Sequence, residues 1–292
     1  MNRFTFRRTA VTSALFLGLG MGSPALAGRG SSPGAILRAI SSGSVESIEA
    51  ELERAETLVC HACMRLVLPL VDHEESRVRK VAAWWLSRRG MRPEMSLQMV
   101  QRLSQPDSRL ARNAADVLGE MRAYKSLTAL GAALNNPIFN DEARAAMARA
   151  IGEIGDMEGL GALSQGMAAH EPAVRAAALE SLRKLRGYQD MSLAVNLLND
   201  ADQNVRVEAI YSVANARSAA KASPAAPEAA RKLSALVAND PSELVRKKAA
   251  WALGEIHASA SIAGLTLERA ARQDESPFVK SLAAAALAKL SP

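Results

Sequence analysis

One unit recurs seven times in this chain and limits what it can fold into more than any single residue does. Its clearest copy follows the Asp240-Pro241 turn: Val245-Arg246, then Ala249, Leu253, Gly254 and Ile256. The other copies align on Val78-Arg79, Leu110-Ala111, Ala143-Arg144, Val174-Arg175, Val205-Arg206 and Val279-Lys280. Successive second positions are 32, 33, 31, 31, 40 and 34 residues apart. Three residues past the arginine the chain has Ala82, Ala114, Met147, Ala178, Ala209, Ala249 and Ala283. Seven past it come Leu86, Leu118, Ile151, Leu182, Val213, Leu253 and Leu287. A small residue in one column and a branched aliphatic in the next, at helical spacing, describes a helix packed closely on a neighbour. A second apolar run precedes each copy, such as Leu127–Leu134, Leu193–Leu198 and Ala229–Val237. Each unit is therefore expected to be two helices of one to two dozen residues joined by a short Asp-, Asn- or Pro-bearing turn.

A period in the low thirties with two helices per unit implies an all-α solenoid, because one helix pair cannot bury its apolar face and stacked pairs can. The stretch from Asp240 to Ile256 resembles the HEAT repeat, in particular the short variety of the phycobilisome lyases, and the resemblance runs from about Ala55 to Leu290. Departures are Ala111 and Lys280 in place of the arginine, and Ser87, Arg183, Ala214 and Ala288 where the pattern has Gly254, which implies uneven stability along the array. The tetratricopeptide and ankyrin signatures, which have similar periods, are absent. Aromatic residues make up only 4% of the chain, which suits close helix packing and argues against a β-rich fold.

The expected organisation is an export signal at 1–27, a Gly/Ser leader at 28–34, a helical cap at 35–54 and the solenoid at 55–292, with an insertion at 215–227. Arg3, Arg7 and Arg8, the apolar run from Ala10 to Gly22 and Ala25-Leu26-Ala27 have the three-part form of a cleavable signal, placing the mature chain in a bacterial periplasm or outside the cell. The apolar run is too short to span a bilayer, which takes roughly 20 residues, so no stable membrane insertion is expected after cleavage. Formal charge is +6, and loss of the signal leaves 33 basic against 30 acidic residues. That is not the basic stripe of a nucleic-acid binder. In the cap, Ser44 is placed to N-cap a helix that buries Val45, Ile48 and Leu52. The Ala/Ser/Pro insertion, which accounts for the 40-residue step, reads as a surface loop, since Ala, Ser and Pro offer little chemistry, with a binding loop beside the groove as the alternative.

Cys60-His61-Ala62-Cys63 holds both cysteines. Attachment of a c-type haem needs a histidine at 64, where this chain has Met, and zinc would need further ligands. What remains is a local disulfide, a pair of small core residues, or a redox or partner-linking pair. His73-Glu74 and His170-Glu171 look like the iron-binding His-Glu pairs of deoxyhypusine hydroxylase, a HEAT-like enzyme. There the pairs lie inside the second helix and number four; here two lie before it and read as polar turn residues. No metal, cofactor or catalytic constellation is expected.

The columns one and five past the arginine are expected to point away from the core. Position five reads Trp84, Asp116, Arg149, Glu180, Tyr211, Trp251 and Ala285; position one includes Lys80, Arg112 and Lys247. In HEAT arrays the second helix lines the concave surface. The resemblance therefore implies a non-enzymatic scaffold that takes a protein or peptide on that face, anchored by Trp84, Tyr211 and Trp251 with Lys80, Arg112, Arg149 and Lys247 around them. A redox or cofactor-handling accessory using Cys60 and Cys63 is the alternative, and a lyase activity by analogy with the phycobilin enzymes is the third. The repeat arginines are expected to form a ladder with turn acids such as Asp200, Asp240 and Asp274. Nothing in the sequence bears on oligomeric state.

Overall fold

The computed structural model describes residues 30–88, 90–216 and 223–291; residues 1–27, expected to be an export signal, and residues 217–222 of the insertion lie outside the described residues. Sixteen α-helices run through them: α1 (Pro33–Ser42), α2 (Val45–Arg54), α3 (His61–Val67), α4 (Ser76–Ser87), α5 (Arg92–Leu103), α6 (Ser108–Glu120), α7 (Leu127–Leu134) and α8 (Asp141–Ile154). The rest are α9 (Leu160–Gly166), α10 (Pro172–Leu182), α11 (Ser192–Asn196), α12 (Gln203–Asn215), α13 (Ala226–Asn239), α14 (Glu243–Glu255), α15 (Ala260–Gln273) and α16 (Pro277–Leu287). The even-numbered helices pack in order, α2 on α4 through to α14 on α16, and odd-numbered helices such as α5, α7 and α9 form a second layer. The architecture is an α-solenoid of seven two-helix units after the α1–α2 pair.

The column three past the arginine is fully buried in all seven units, and the column seven past it in the first six. Leu287, in the seventh unit, is half-buried. Two glycines let neighbouring even-layer helices touch at the backbone. A Cβ on Gly119 would lie 2.9 Å from Ala150 Cα, and one on Gly152 would lie 2.8 Å from Ser181 Cα. Close contact of this kind is what the small-residue columns of the sequence encode.

Several first helices are shorter than expected. Helix α11 has 5 residues, and α3 and α9 have 7 each. Tighter 3₁₀ turns replace the missing α-turns, at Leu68–Asp72 with Pro69 inside it, before α7 and α9, and after α11. The leader is also shorter than expected, because Pro33 and Gly34 already lie in α1. Ser32 caps that helix through the Ala35 N–H, and proline suits the first helical position, where no amide partner is needed. Ser44 accepts from the Ser47 N–H at the start of α2, with Ile48 and Leu52 buried and Val45 half-buried. Asn215 closes α12 and Ala226-Pro227 opens α13, so both ends of the expected insertion are helical.

Arginine bonds cross the repeat boundaries. Arg175, Arg206 and Arg246 each present Nε and Nη2 to both oxygens of Asp200, Asp240 and Asp274 in the next turn, at 2.7–3.2 Å. Nη1 of each donates to two carbonyls of its own turn, Asp200 and Ala201 in the case of Arg206. Each aspartate also accepts the amide two residues on, shaping the turn that starts the next helix. Arg144 pairs with Glu171 at 2.7 Å.

Arg79 departs from the expected ladder. The turn position that should carry its acid is Gln105, and the arginine reaches instead to Asp116 inside α6, Nε to Oδ2 at 3.0 Å. Asp116, expected on the open face, is consequently buried. His73 stands where later turns have aspartate, and its Nδ1 accepts the Glu75 N–H, which makes it a turn residue.

Candidate functional site

The second-helix columns are less uniformly open than their spacing implies. Ala145 and Val207 are buried along with Asp116, and Trp84, Tyr211 and Trp251 are half-buried against the core. Trp85 is fully buried, with its indole N–H donating to Ala55 O at 3.1 Å.

Tyr211 and Trp251 are brought together. They hold the same position in successive units, so the stacking of α12 on α14 sets their rings edge to face, 5.8 Å between centroids and 62° between planes. Two cations flank the tyrosine: the Arg183 guanidinium 5.6 Å from the ring centroid and Lys248 Nζ 4.9 Å from it. The rings border a cleft of about 280 Å³ that Glu208, Asn215 and Glu255 also line.

Arg183 lies where Gly119 and Gly152 sit in earlier units. Its side chain extends across to α12, with Nη1 2.6 Å from Glu208 Oε2 and donating to Glu208 O and Ser212 Oγ. Glu208 Oε2 is buried and accepts no well-directed hydrogen bond, so the pairing with Arg183 is one of charge. Lys289 neutralises Glu255 at 2.8 Å.

Trp84 is elsewhere. Three even-layer helices separate α4 from α12, and at 8–10 Å per packed pair the two places are on the order of 35 Å apart. Its ring is stacked by Arg88, 4.7 Å from the centroid. The expected cations are dispersed too. Arg112 is held by Glu142 at 2.7 Å. The charge of Lys80 acts on Glu120, whose carboxyl burial raises above its ordinary pKa. Exposed Arg149 acts on Glu180, where burial pushes the carboxyl up and the Lys184 hydrogen bond and neighbouring charges bring it below its ordinary value. Lys247 alone borders the Tyr211–Trp251 region, its Nζ 5.7 Å from the ring centroid of Phe278, which is 68% exposed. The sequence reading did not single out Arg183, Glu208, Lys248, Glu255 or Phe278. The signal available was the run of two departures from glycine, Arg183 and Ala214, in adjacent units.

Cys60 and Cys63 form a close pair, with Sγ atoms 2.06 Å apart. Cys60 is the partly exposed N-cap of α3 and Cys63 is fully buried. Among the described residues, no three His, Cys, Asp or Glu side chains converge as a metal site, and no helix is long and apolar enough to cross a membrane.

A family model of HEAT repeats matches residues 138–194 and 191–288, together just over half of the chain. Importin beta superposes with a TM-score of 0.62 at 13% identity, over 87% of this chain and 41% of that one. Yeast importin beta (Kap95p), in a structure with RanGDP, gives 0.59 at 17%, over 86% and 38%. YibA from E. coli gives 0.52 at 13%, over 87% and 91%. Identities this low speak to the fold alone, and this chain spans about two fifths of the importin chains. No curated protein sequence matches it.

Proposed function

The chain belongs to the HEAT-repeat family, and from that premise we propose that it is an exported, non-enzymatic scaffold holding a protein or peptide partner on its second-helix face. The observation that carries this reading is the cleft between Tyr211 and Trp251. It is a half-open aromatic pair on two successive helices, with Arg183 and Lys248 against the tyrosine ring, and it lies where an arginine replaces the glycine that elsewhere brings the helices into contact. Aromatic residues on a rigid platform cost little entropy to order and bury large area, which is why they anchor protein contacts. Kap95p, of the same solenoid fold, is described as binding RanGDP. Export rests on the n-region, apolar run and cleavage site of residues 1–27. We take Cys60–Cys63 as a structural disulfide, consistent with an exported chain and with the full burial of Cys63.

The test is affinity capture by the mature protein from periplasmic extract, compared with Tyr211→Ala/Trp251→Ala and with Trp84→Ala, all checked for native helicity. The expected result is a dominant protein that the double variant loses and the Trp84 variant keeps. Equal capture by all three proteins would sink the assignment of the cleft.

A further inference from the structure

We propose that the segment received at this cleft is extended and acidic, with an apolar side chain entering between Tyr211 and Trp251. This deepens the scaffold reading and rests on it. Charge is the deciding observation. Arg183 and Glu208 cancel, as do Lys289 and Glu255. Lys247 and Lys248 remain, and neither forms an ion pair with the described residues, although exposed Glu243 precedes Lys247 by one helical turn. Both ammonium groups lie over aromatic rings: Lys248 over Tyr211 and Lys247 over exposed Phe278. The rings hold the cations weakly and leave their outer sides free to meet carboxylates.

Tyr211, Trp251 and Phe278 thus mark a strip across α12, α14 and α16, apolar at its base and positive above. Two helix spacings across, with Phe278 set seven residues back along its helix, make it roughly 20 Å long, the reach of about six residues of extended chain. A folded partner presenting a flat surface would not enter the cleft, whereas an extended segment can seat one side chain there and carry acidic residues on either side. Two lysines are too few for nucleic acid, whose recognition uses a basic stripe.

The test is selection of a random displayed peptide library on the mature protein, with synthetic copies of the enriched peptides then measured by fluorescence anisotropy. Enriched peptides are expected to carry two or more acidic residues around an apolar one. They should lose binding to Tyr211→Ala/Trp251→Ala and weaken about tenfold on Lys247→Glu/Lys248→Glu. Binding should also fall with added salt. Peptides that need the aromatic pair but are neutral or basic, or that ignore the lysine reversals, would overturn the acidic specificity while leaving the scaffold reading in place. No enrichment, or peptides indifferent to the aromatic pair, would overturn both. Displacement of bound peptide by a 20-nucleotide oligothymidylate at equal concentration would also overturn the proposal, in favour of a general polyanion site.

Discussion

Replacing Arg206 by Met tests the ladder where it is most complete. Arg206 and Asp240 have side chains only 12% and 4% exposed, joined at 2.8 and 3.1 Å. The substitution keeps the aliphatic stem and removes four bonds: two to Asp240, and one each to the Asp200 and Ala201 carbonyls at 3.0 Å. Asp240 keeps its bond from the Ser242 N–H but is left as a buried carboxylate without a counter-ion. Breaking such a pair from one side costs about 3–5 kcal/mol. The companion Arg206→Met/Asp240→Asn should recover at least about 1.5 kcal/mol of this, since the stranded charge is gone. Arg186→Met removes an exposed pair, 3.7 Å from Asp156 with side chains 68% and 39% exposed, and should cost about 0.5 kcal/mol or less. Urea unfolding followed by circular dichroism gives the energies, and hydrogen exchange gives the place. Protection should fall first in α12 and α14, because a solenoid unit touches only its neighbours. If Arg206→Met costs no more than Arg186→Met, or if exchange rises evenly along the chain, the ladder does not hold the repeats together.

Gly152→Ala and Gly264→Ala should move stability in opposite directions in the same urea assay. The first puts a Cβ 2.7 Å from Ser181 Cβ, and overpacking of about 1–3 kcal/mol outweighs a gain of about 1 kcal/mol in helix propensity; the second meets nothing within 4 Å and should stabilise by about 0.5–1 kcal/mol. Acidification should weaken the ladder. At Asp200 and Asp274 burial raises the carboxyl, but the arginine hydrogen bond, a turn amide and nearby charges leave it below its ordinary value. Their contribution is therefore complete above about pH 4, the unfolded value, and is lost as pH falls through the lower folded value, which a thermal melt series from pH 6 to pH 2 would trace. Thiol titration of the unfolded, unreduced protein should find no free cysteine, and reduction should lower stability by about 2 kcal/mol or less, since the bridge closes a very short loop.

The core was legible because burial depends on spacing. The alanine and leucine columns at three and seven past the arginine fall on one stripe of a helix, and the chain repeats that stripe seven times. The turn acids Asp200, Asp240 and Asp274 were legible for the same reason, since each stands at one constant distance before Arg206, Arg246 and Lys280. Arg79 shows where that reasoning stops. With Gln105 in the turn its guanidinium had to find an acid elsewhere, and only the packing of α4 on α6 reveals that Asp116 is within reach. The candidate site was legible in part. Column five picked out Tyr211 and Trp251, yet the period alone gives each residue the same outward direction and hides the distance that separates Trp84 from them. Lys248 was missed because only positions one and five past the arginine were read as the open face, whereas position two, between the open face and the core, sends its long side chain to the Tyr211 ring.

A regular stack of helices presents the same surface at every step, so specificity in such a protein has to come from breaks in the pattern. Two breaks coincide here. At position eight past the arginine the glycine that brings α8 against α10 becomes Arg183 and then Ala214, and the 40-residue step falls between the units of Arg206 and Arg246. Asn215, the last residue of α12 and the first of the insertion, lines the same cleft as Arg183. The insertion, which composition reads as a surface loop with a groove-side binding loop as the alternative, therefore begins at the edge of the cleft. The arginine and the start of the insertion meet at one place: Arg183 fills the position where a glycine would draw the next helix in, and Asn215 stands beside it in the cleft lining. A bound chain would meet Tyr211 and Trp251 there and nowhere else along the stack, since no other pair of successive units carries aromatic residues at position five.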